Sequence, residues 1–283
     1  MSDFIEVLSP GFYTTIQDLG RFGYAKFGVP QSGVMDSFSA QKANLLLNNK
    51  RDAAVLEITM TGPVLKFQAS CCFALSGAEF LVELDDVAIL NDKAYFAAKG
   101  SVLRFKSLVS GFRSYLAIKG GFLSEIKLDS RSMYDGITNA IRLQKGDHLS
   151  VQSHEFKNKK SARVSFRESG IFTPEIEVFT GPEWEQIPET IKQRLLLEKF
   201  TVSKTGNRMA IQLDEKLPNN MQGIMTGPVV PGTVQLTPAG KLIVLMRDCQ
   251  VTGGYPRVLQ LTEMAINTLA QKRPGDLINF KFK

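Results

Sequence analysis

Read for where apolar and polar positions fall, the chain is a succession of short β patterns punctuated by glycine. "PVLKFQ", "CCFALSG", "DDVAIL", "AYFAAKG", "SVLRFKS" and "FRSYLAIKGG" follow one another between residues 63 and 121. Their spacing is that of antiparallel sandwiches or barrels. Helical periodicity is scarce. It predicts one helix in "DSFSAQKANLLLNN", capped by Asp36 or Ser37, with Ala43, Leu46 and Leu47 on one face. A second falls in "PETIKQRLLLEKF" with Pro188 in its first turn, and a third runs from Glu263 to Ala270 behind a Thr262 cap. The class is mainly β with a few short helices.

Two stretches echo each other. "LQKGDHLSVQ" and "KRPGDLINFKF" both place a Gly-Asp turn before an alternating strand, and "TGPVLKF" at Thr61 is answered by "TGPVVPG" at Thr226. The separations differ, so this is no tandem repeat. It predicts two β domains of similar build, residues 1–157 and 163–283, joined through the polar, basic run "EFKNKKSARV".

Polar side chains concentrate in two glycine-rich segments. "TIQDLGRFGYAKFGVPQSGVMD" (Thr15 to Asp36) carries Gln17, Asp18 and Arg21. "RDCQVTGGYPRV" (Arg247 to Val258) carries Gln250, Gly253, Gly254, Tyr255 and Arg257 between two apolar runs. Long glycine-rich loops are costly to order and are common ligand-binding places. A carboxamide offers both donor and acceptor, and a guanidinium can clamp a carboxylate in two bonds. The competing reading is structural: Asp18 pairs with Arg21 across a turn, Arg257 pairs with a nearby acid, and the glycines supply unusual backbone angles.

Composition narrows the function classes. At 283 residues, 43% apolar and 22% charged, the chain can bury a real core. The net charge of +6 is mild and the basic residues are scattered except around Lys157 to Lys160, which argues against nucleic acid but suits a small anion. Cys71, Cys72 and Cys249 have neither disulfide nor zinc spacing and read as small buried hydrophobes. No run is long enough to span a bilayer, and "MSDFIEVLSP" is not a signal peptide, so a cytoplasmic location is expected. P-loop, HExxH, EF-hand and GxSxG motifs are missing. His148 and His154 read as surface or turn residues. The remaining tools are Arg, Gln, Asn, Asp, Tyr and backbone N–H groups, which polarise an amide or carboxylate rather than attack it.

Six segments in one order carry a resemblance over almost the whole chain: "TIQDLGRFGYAKFGVPQSGVMD", "AVLEITMTGP", "GFRSYLAIKGGF" with "LDSRSM", "GNRMAIQL", "DCQVTGGYPRV" and "LAQKRPGD". Together they resemble the allophanate hydrolase subunit 2, or biotin-dependent carboxyltransferase-like, family. Its members include the C subunit of the bacterial ATP-dependent 5-oxoprolinase, an antagonist of a sporulation-kinase inhibitor, and the carboxyltransferase half of urea carboxylase. The resemblance implies two cyclophilin-like β-barrel domains. It implies the role of that C subunit beside the A and B subunits, with ATP used at the level of the complex and 5-oxoproline opened to glutamate. Two alternatives go with it: carboxyl transfer to urea or a related amide, in which biotin would arrive from another chain, and a non-enzymatic antagonist. On the first reading Gln17, Arg21, Arg208, Gln235, Gln250, Gly253, Gly254, Tyr255 and Arg257 are the expected substrate contacts, from loops of both barrels. The chain departs from the family pattern at Asn207-Arg208-Met209-Ala210 and after Gln235, where Leu236-Thr237-Pro238 follows.

Overall fold

The computed structural model describes residues 3–154 and 173–283. The chain divides into two compact units, Met1–Arg21 with Ser32–Arg167, and Phe22–Gln31 with Glu168–Lys283. The expected domain join at 157–163 lies outside the described residues.

The first unit is one curled antiparallel sheet of nine strands: β1 (Phe4–Ser9), β2 (Tyr13–Gln17), β3 (Val55–Thr59), β4 (Val64–Phe67), β5 (Cys71–Leu84), β6 (Val87–Ile89), β7 (Ala94–Ala97), β8 (Val102–Ile118) and β9 (His148–Ser150). The order is β2-β3-β8-β4-β1-β9, with β5 on β8 and carrying β6 and β7. Two predicted strands, "SVLRFKS" and "FRSYLAIKGG", are in fact the single strand β8. Gly111 at φ 73° and the register shifts opposite it, between Gly77 and Val82 of β5, bend this long hairpin without breaking it. Bulges of this kind tighten twist and let a sheet curl.

Strand alternation sorts the two faces. Leu56, Ile58, Leu75, Leu116 and Ile118 point into the barrel core with Phe67 and Phe73, whose rings lie 5.6 Å apart. Their neighbours Val55, Ala74, Tyr115 and Ala117 face outward, under α1 (Ser37–Leu46). Ala40 and Ala43 let that helix approach closely. Asp36 caps it by accepting from the Ser39 amide at 3.0 Å and hydroxyl at 2.6 Å, worth about 1 kcal/mol.

The second unit comprises β10 (Glu175–Thr180), β11 (Phe200–Thr201), β12 (Ala210–Lys216), β13 (Gly227–Pro228), β14 (Thr233–Leu236), β15 (Lys241–Leu245), β16 (Thr252–Gly253), β17 (Arg257–Leu261) and β18 (Leu277–Phe282). Seven of these form the sheet β11-β18-β10-β17-β14-β15-β12, in which only β10 and β18 run parallel; β13 and β16 form a separate two-residue ribbon. Among the described residues its α-helices are α2 (Glu189–Leu197) and α3 (Glu263–Ala270). Pro188 is the residue before α2, one position outside its expected place in the first turn. Thr262 caps α3 as expected, accepting from the Ala265 amide at 3.2 Å.

The Gly-Asp echo is structural. Gly146 and Gly275 have φ of 91° and 92°. In both turns the aspartate accepts from the amide three residues earlier, Asp147 from Gln144 at 2.8 Å and Asp276 from Arg273 at 2.7 Å. β9 and β18 follow directly. The molecule is mainly β and built from two barrel-like sheets, as the sequence predicts. Among the described residues no helix is long and apolar enough to cross a membrane.

Cys71 and Cys249 are buried, and burial pushes both thiols up to about 12. Since the thiolate is the nucleophile, native protein at pH 8 should leave both unmodified by a thiol reagent and yield them only after unfolding. Rapid labelling of either in the native state would refute this packing.

Candidate functional site

In the second unit the structure brings three of the predicted residues together, Gln235, Gly253 and Arg257. Gln235 on β14 and Arg257 on β17 are direct partners in register, so both side chains rise from the same face. A β-bulge between Val234 and Gln235 brings them opposite each other. Above them lies the β13–β16 ribbon, in which Gly227 pairs with Gly253. A Cβ on Gly253 would stand 2.5 Å from Gln235 Nε2, and one on Gly227 would stand 3.3 Å from an Arg257 terminal nitrogen. Each glycine therefore admits one member of the pair beneath it. That is the structural reason for the first glycine of "TGGYPR", Gly253; a Cβ on Gly254 would meet nothing closer than the Ile224 carbonyl at 3.7 Å.

Arg257 is held from behind. Its Nε and one terminal nitrogen donate to the Glu183 carboxylate at 3.0 and 2.7 Å, its backbone amide adds a third bond at 2.8 Å, and the other terminal nitrogen donates to the Pro228 carbonyl at 2.8 Å. A guanidinium carries five N–H groups; three are spent here and two remain. Gln235 is 2% exposed, and its Nε2 has no hydrogen-bond partner among the described residues. A buried donor left unmade costs about 1–3 kcal/mol, a cost that an incoming carbonyl or carboxylate oxygen would relieve.

The other predicted residues are placed as follows. Arg208 forms a two-pronged pair with Asp248 at 2.8 and 3.0 Å, locked further by the Asp248 amide on the Arg208 carbonyl at 2.9 Å. Gln250, half-buried, makes no side-chain hydrogen bond with the described residues, and Gly254 and Tyr255 are exposed. In the first unit Gln17 and Arg21 are buried and donate to successive carbonyls: Gln17 to Met133 at 3.2 Å, Arg21 to Ser132. Asp18 accepts from the Gly20 amide at 2.9 Å and, each at 2.6 Å, from the Ser130 and Ser132 hydroxyls and the Arg131 amide. The three residues hold the "LDSRSM" segment against the first glycine-rich loop. Nearby, Glu57 accepts from the Met35 amide at 2.6 Å and the Tyr115 hydroxyl at 2.9 Å, with Arg113 at 4.0 Å. Burial chiefly, then the Glu57 charge, pushes the Tyr115 phenol well above its ordinary range.

Glu183 escaped the sequence reading. A signal for it exists: Thr-Gly-Pro occurs not twice but three times, at Thr61, Thr180 and Thr226. All three glycines sit where a side chain has little or no room, against Phe105, the Arg257 carbonyl and the Arg257 guanidinium. The third copy, "TGPEW", leads straight to Glu183. Among the described residues no group of three His, Cys, Asp or Glu side chains gathers as metal ligands would.

Hydrogen bonds from Arg257 hold the Glu183 carboxyl below the usual carboxylate range, against the opposing effect of burial. A depressed folded-state pKa stabilises above the unfolded value, about 4.3, and that stability is lost as pH falls through the folded value. The urea-midpoint gap between wild type and Glu183→Gln should be widest near neutrality and close below about pH 4. A gap unchanged down to pH 3 would contradict the pair.

Residues 27–282 match the family described as carboxyltransferase domain, subdomain A and B. The chain is 29% identical over 289 residues to the 5-oxoprolinase C subunit of Haemophilus influenzae and 30% identical over 287 to that of Escherichia coli. Each alignment covers 98% of this chain and 90% of the relative. The urea amidolyase of Saccharomyces cerevisiae is 31% identical, but the chain spans only 16% of it. Among solved structures, TTHA0988 superposes with a TM-score of 0.87 and the Kluyveromyces lactis urea carboxylase with 0.89, both at 27% identity and over 99% of this chain. The chain spans 55% of the former and 27% of the latter.

Proposed function

We propose, because the chain belongs to the carboxyltransferase domain, subdomain A and B family, that it is the C subunit of a multi-subunit, ATP-dependent 5-oxoprolinase in the cytoplasm. The observation that carries this reading is coverage. The chain matches nine-tenths of the 5-oxoprolinase relatives but a sixth of the urea amidolyase. In the proposed assembly, with the A and B subunits, this chain binds and orients the lactam. Arg257, fixed by Glu183, takes the ring carboxylate on its two remaining N–H groups. The carboxamide of Gln235 donates to the amide oxygen, where negative charge grows as the ring opens. Preorganised donors of this kind lower the barrier without a nucleophile from this chain.

The test is reconstitution. Mixed with the A and B subunits, 5-oxoproline and ATP, the chain should support glutamate release that omission of any one component abolishes. Release undiminished without this chain would remove the reading. The urea alternative predicts instead urea-dependent ATP use in the presence of a biotin-carrying carboxylase.

A further inference from the structure

Two of the family-like segments, "AIKGGF" and "LDSRSM", have no part in the proposed lactam site, yet both line one pocket in the first unit, of about 610 Å³. Phe122, fully buried, is part of its lining. The walls are tied to one another through the main chain and its caps. The Gly120 amide donates to Asn49 at 3.0 Å, the Phe122 amide to the Ala54 carbonyl at 3.1 Å, and the Arg131 amide to Asp18 at 2.6 Å. Gly120 and Gly121 have φ of 86° and 77°, and a Cβ on Gly120 would stand 3.0 Å from the Gln152 side-chain oxygen. Such a site is pre-formed and of ligand size.

Arg131, Lys119 and His154 of this lining keep hydrogen-bonding capacity unspent. Arg131 is anchored by its backbone, but its guanidinium makes no hydrogen bond or ion pair with any described residue. Lys119 gives two of its three ammonium hydrogens to the Leu47 and Asn48 carbonyls, at 2.8 and 3.0 Å, and keeps one. His154 Nε2 is buried without a partner among the described residues. The negative charge of Asp18 is already met by four donors. Asp52 and Asp129 are exposed, and with Asp18 they offset Lys50, Lys119 and Arg131 in the lining. A polyanion gains little from such a balance, whereas one carboxylate placed against Arg131 gains a two-pronged bond.

We infer that this pocket is a second binding site, for a small organic acid whose carboxylate docks on the Arg131 guanidinium with Lys119 and His154 beside it. None of its residues belongs to the Gln235–Arg257 pair, and the inference is independent of the 5-oxoprolinase reading.

The test is calorimetric titration of the full chain with succinate, with L-glutamate, and with inorganic phosphate as a contrast. One or both acids should bind, and phosphate at least tenfold more weakly. Arg131→Gln should weaken binding of the acid tenfold or more with an unchanged melting temperature. Arg131→Lys, which keeps the charge but not the fork, should fall between. Four results would overturn the site: no heat with either acid at 20 mM, equal affinity for phosphate, affinity unmoved in Arg131→Gln, or loss in Arg257→Ala but not in Arg131→Gln. None of these outcomes touches glutamate release by the reconstituted complex, so the two proposals fail separately.

Discussion

Arg257→Ala should lower ATP-dependent glutamate release by the reconstituted complex by about 10²-fold or more, the usual scale for removing a preorganised donor. Arg257→Lys should rescue little, because an ammonium cannot hold Glu183 with two prongs and still face a ligand. The single alanine variant also leaves Glu183, 7% exposed, as an uncompensated buried charge, which destabilises by about 3–5 kcal/mol. Folding and function are separated by the double variant Arg257→Ala with Glu183→Gln. It should recover much of the stability lost in the single variant, read by thermal unfolding, and none of the turnover. Double-variant activity near wild type would show that the cluster is scaffolding alone.

Asp18→Ala should cost the first unit about 3–4 kcal/mol. Its carboxylate receives four donors from two loops; bonds to a charged group are each worth about 1.5–3 kcal/mol, though not additively. Asp18→Asn keeps the oxygen that serves Gly20, Ser130 and Ser132 but loses the acceptor facing the Arg131 amide, so it should cost roughly half as much. Urea unfolding checks both. A cost under about 1 kcal/mol for the alanine variant would place these bonds among the dispensable surface ones.

Both variants touch residues whose meaning sequence alone could not fix. The β pattern, α1 with its Asp36 cap, α3 with its Thr262 cap and the paired Gly-Asp turns were all legible, because each depends on neighbours within a few positions. β8 was not, since its continuity comes from bulges opposite it on β5 that tolerate a glycine in mid-strand. Gln17 and Arg21 show the deeper difficulty. In a glycine-rich loop a carboxamide or guanidinium looks the same whether it grips a ligand or the loop itself, and these two hold carbonyls more than a hundred residues away. Arg257 was read as either a ligand clamp or half of an ion pair. The structure shows the ion pair, with Glu183 74 residues distant, and two N–H groups to spare.

Whether the opposed Gln235–Arg257 pair meets the lactam is asked most directly by a structure of the reconstituted complex soaked with 5-oxoproline. The expected result is the ring carboxylate within hydrogen-bond distance of Arg257 and the amide oxygen on Gln235 Nε2, with the Gly227–Gly253 ribbon displaced to admit it. Ligand density elsewhere in the complex or on another surface of this chain, with Gln235 still sealed under Gly253, would contradict it.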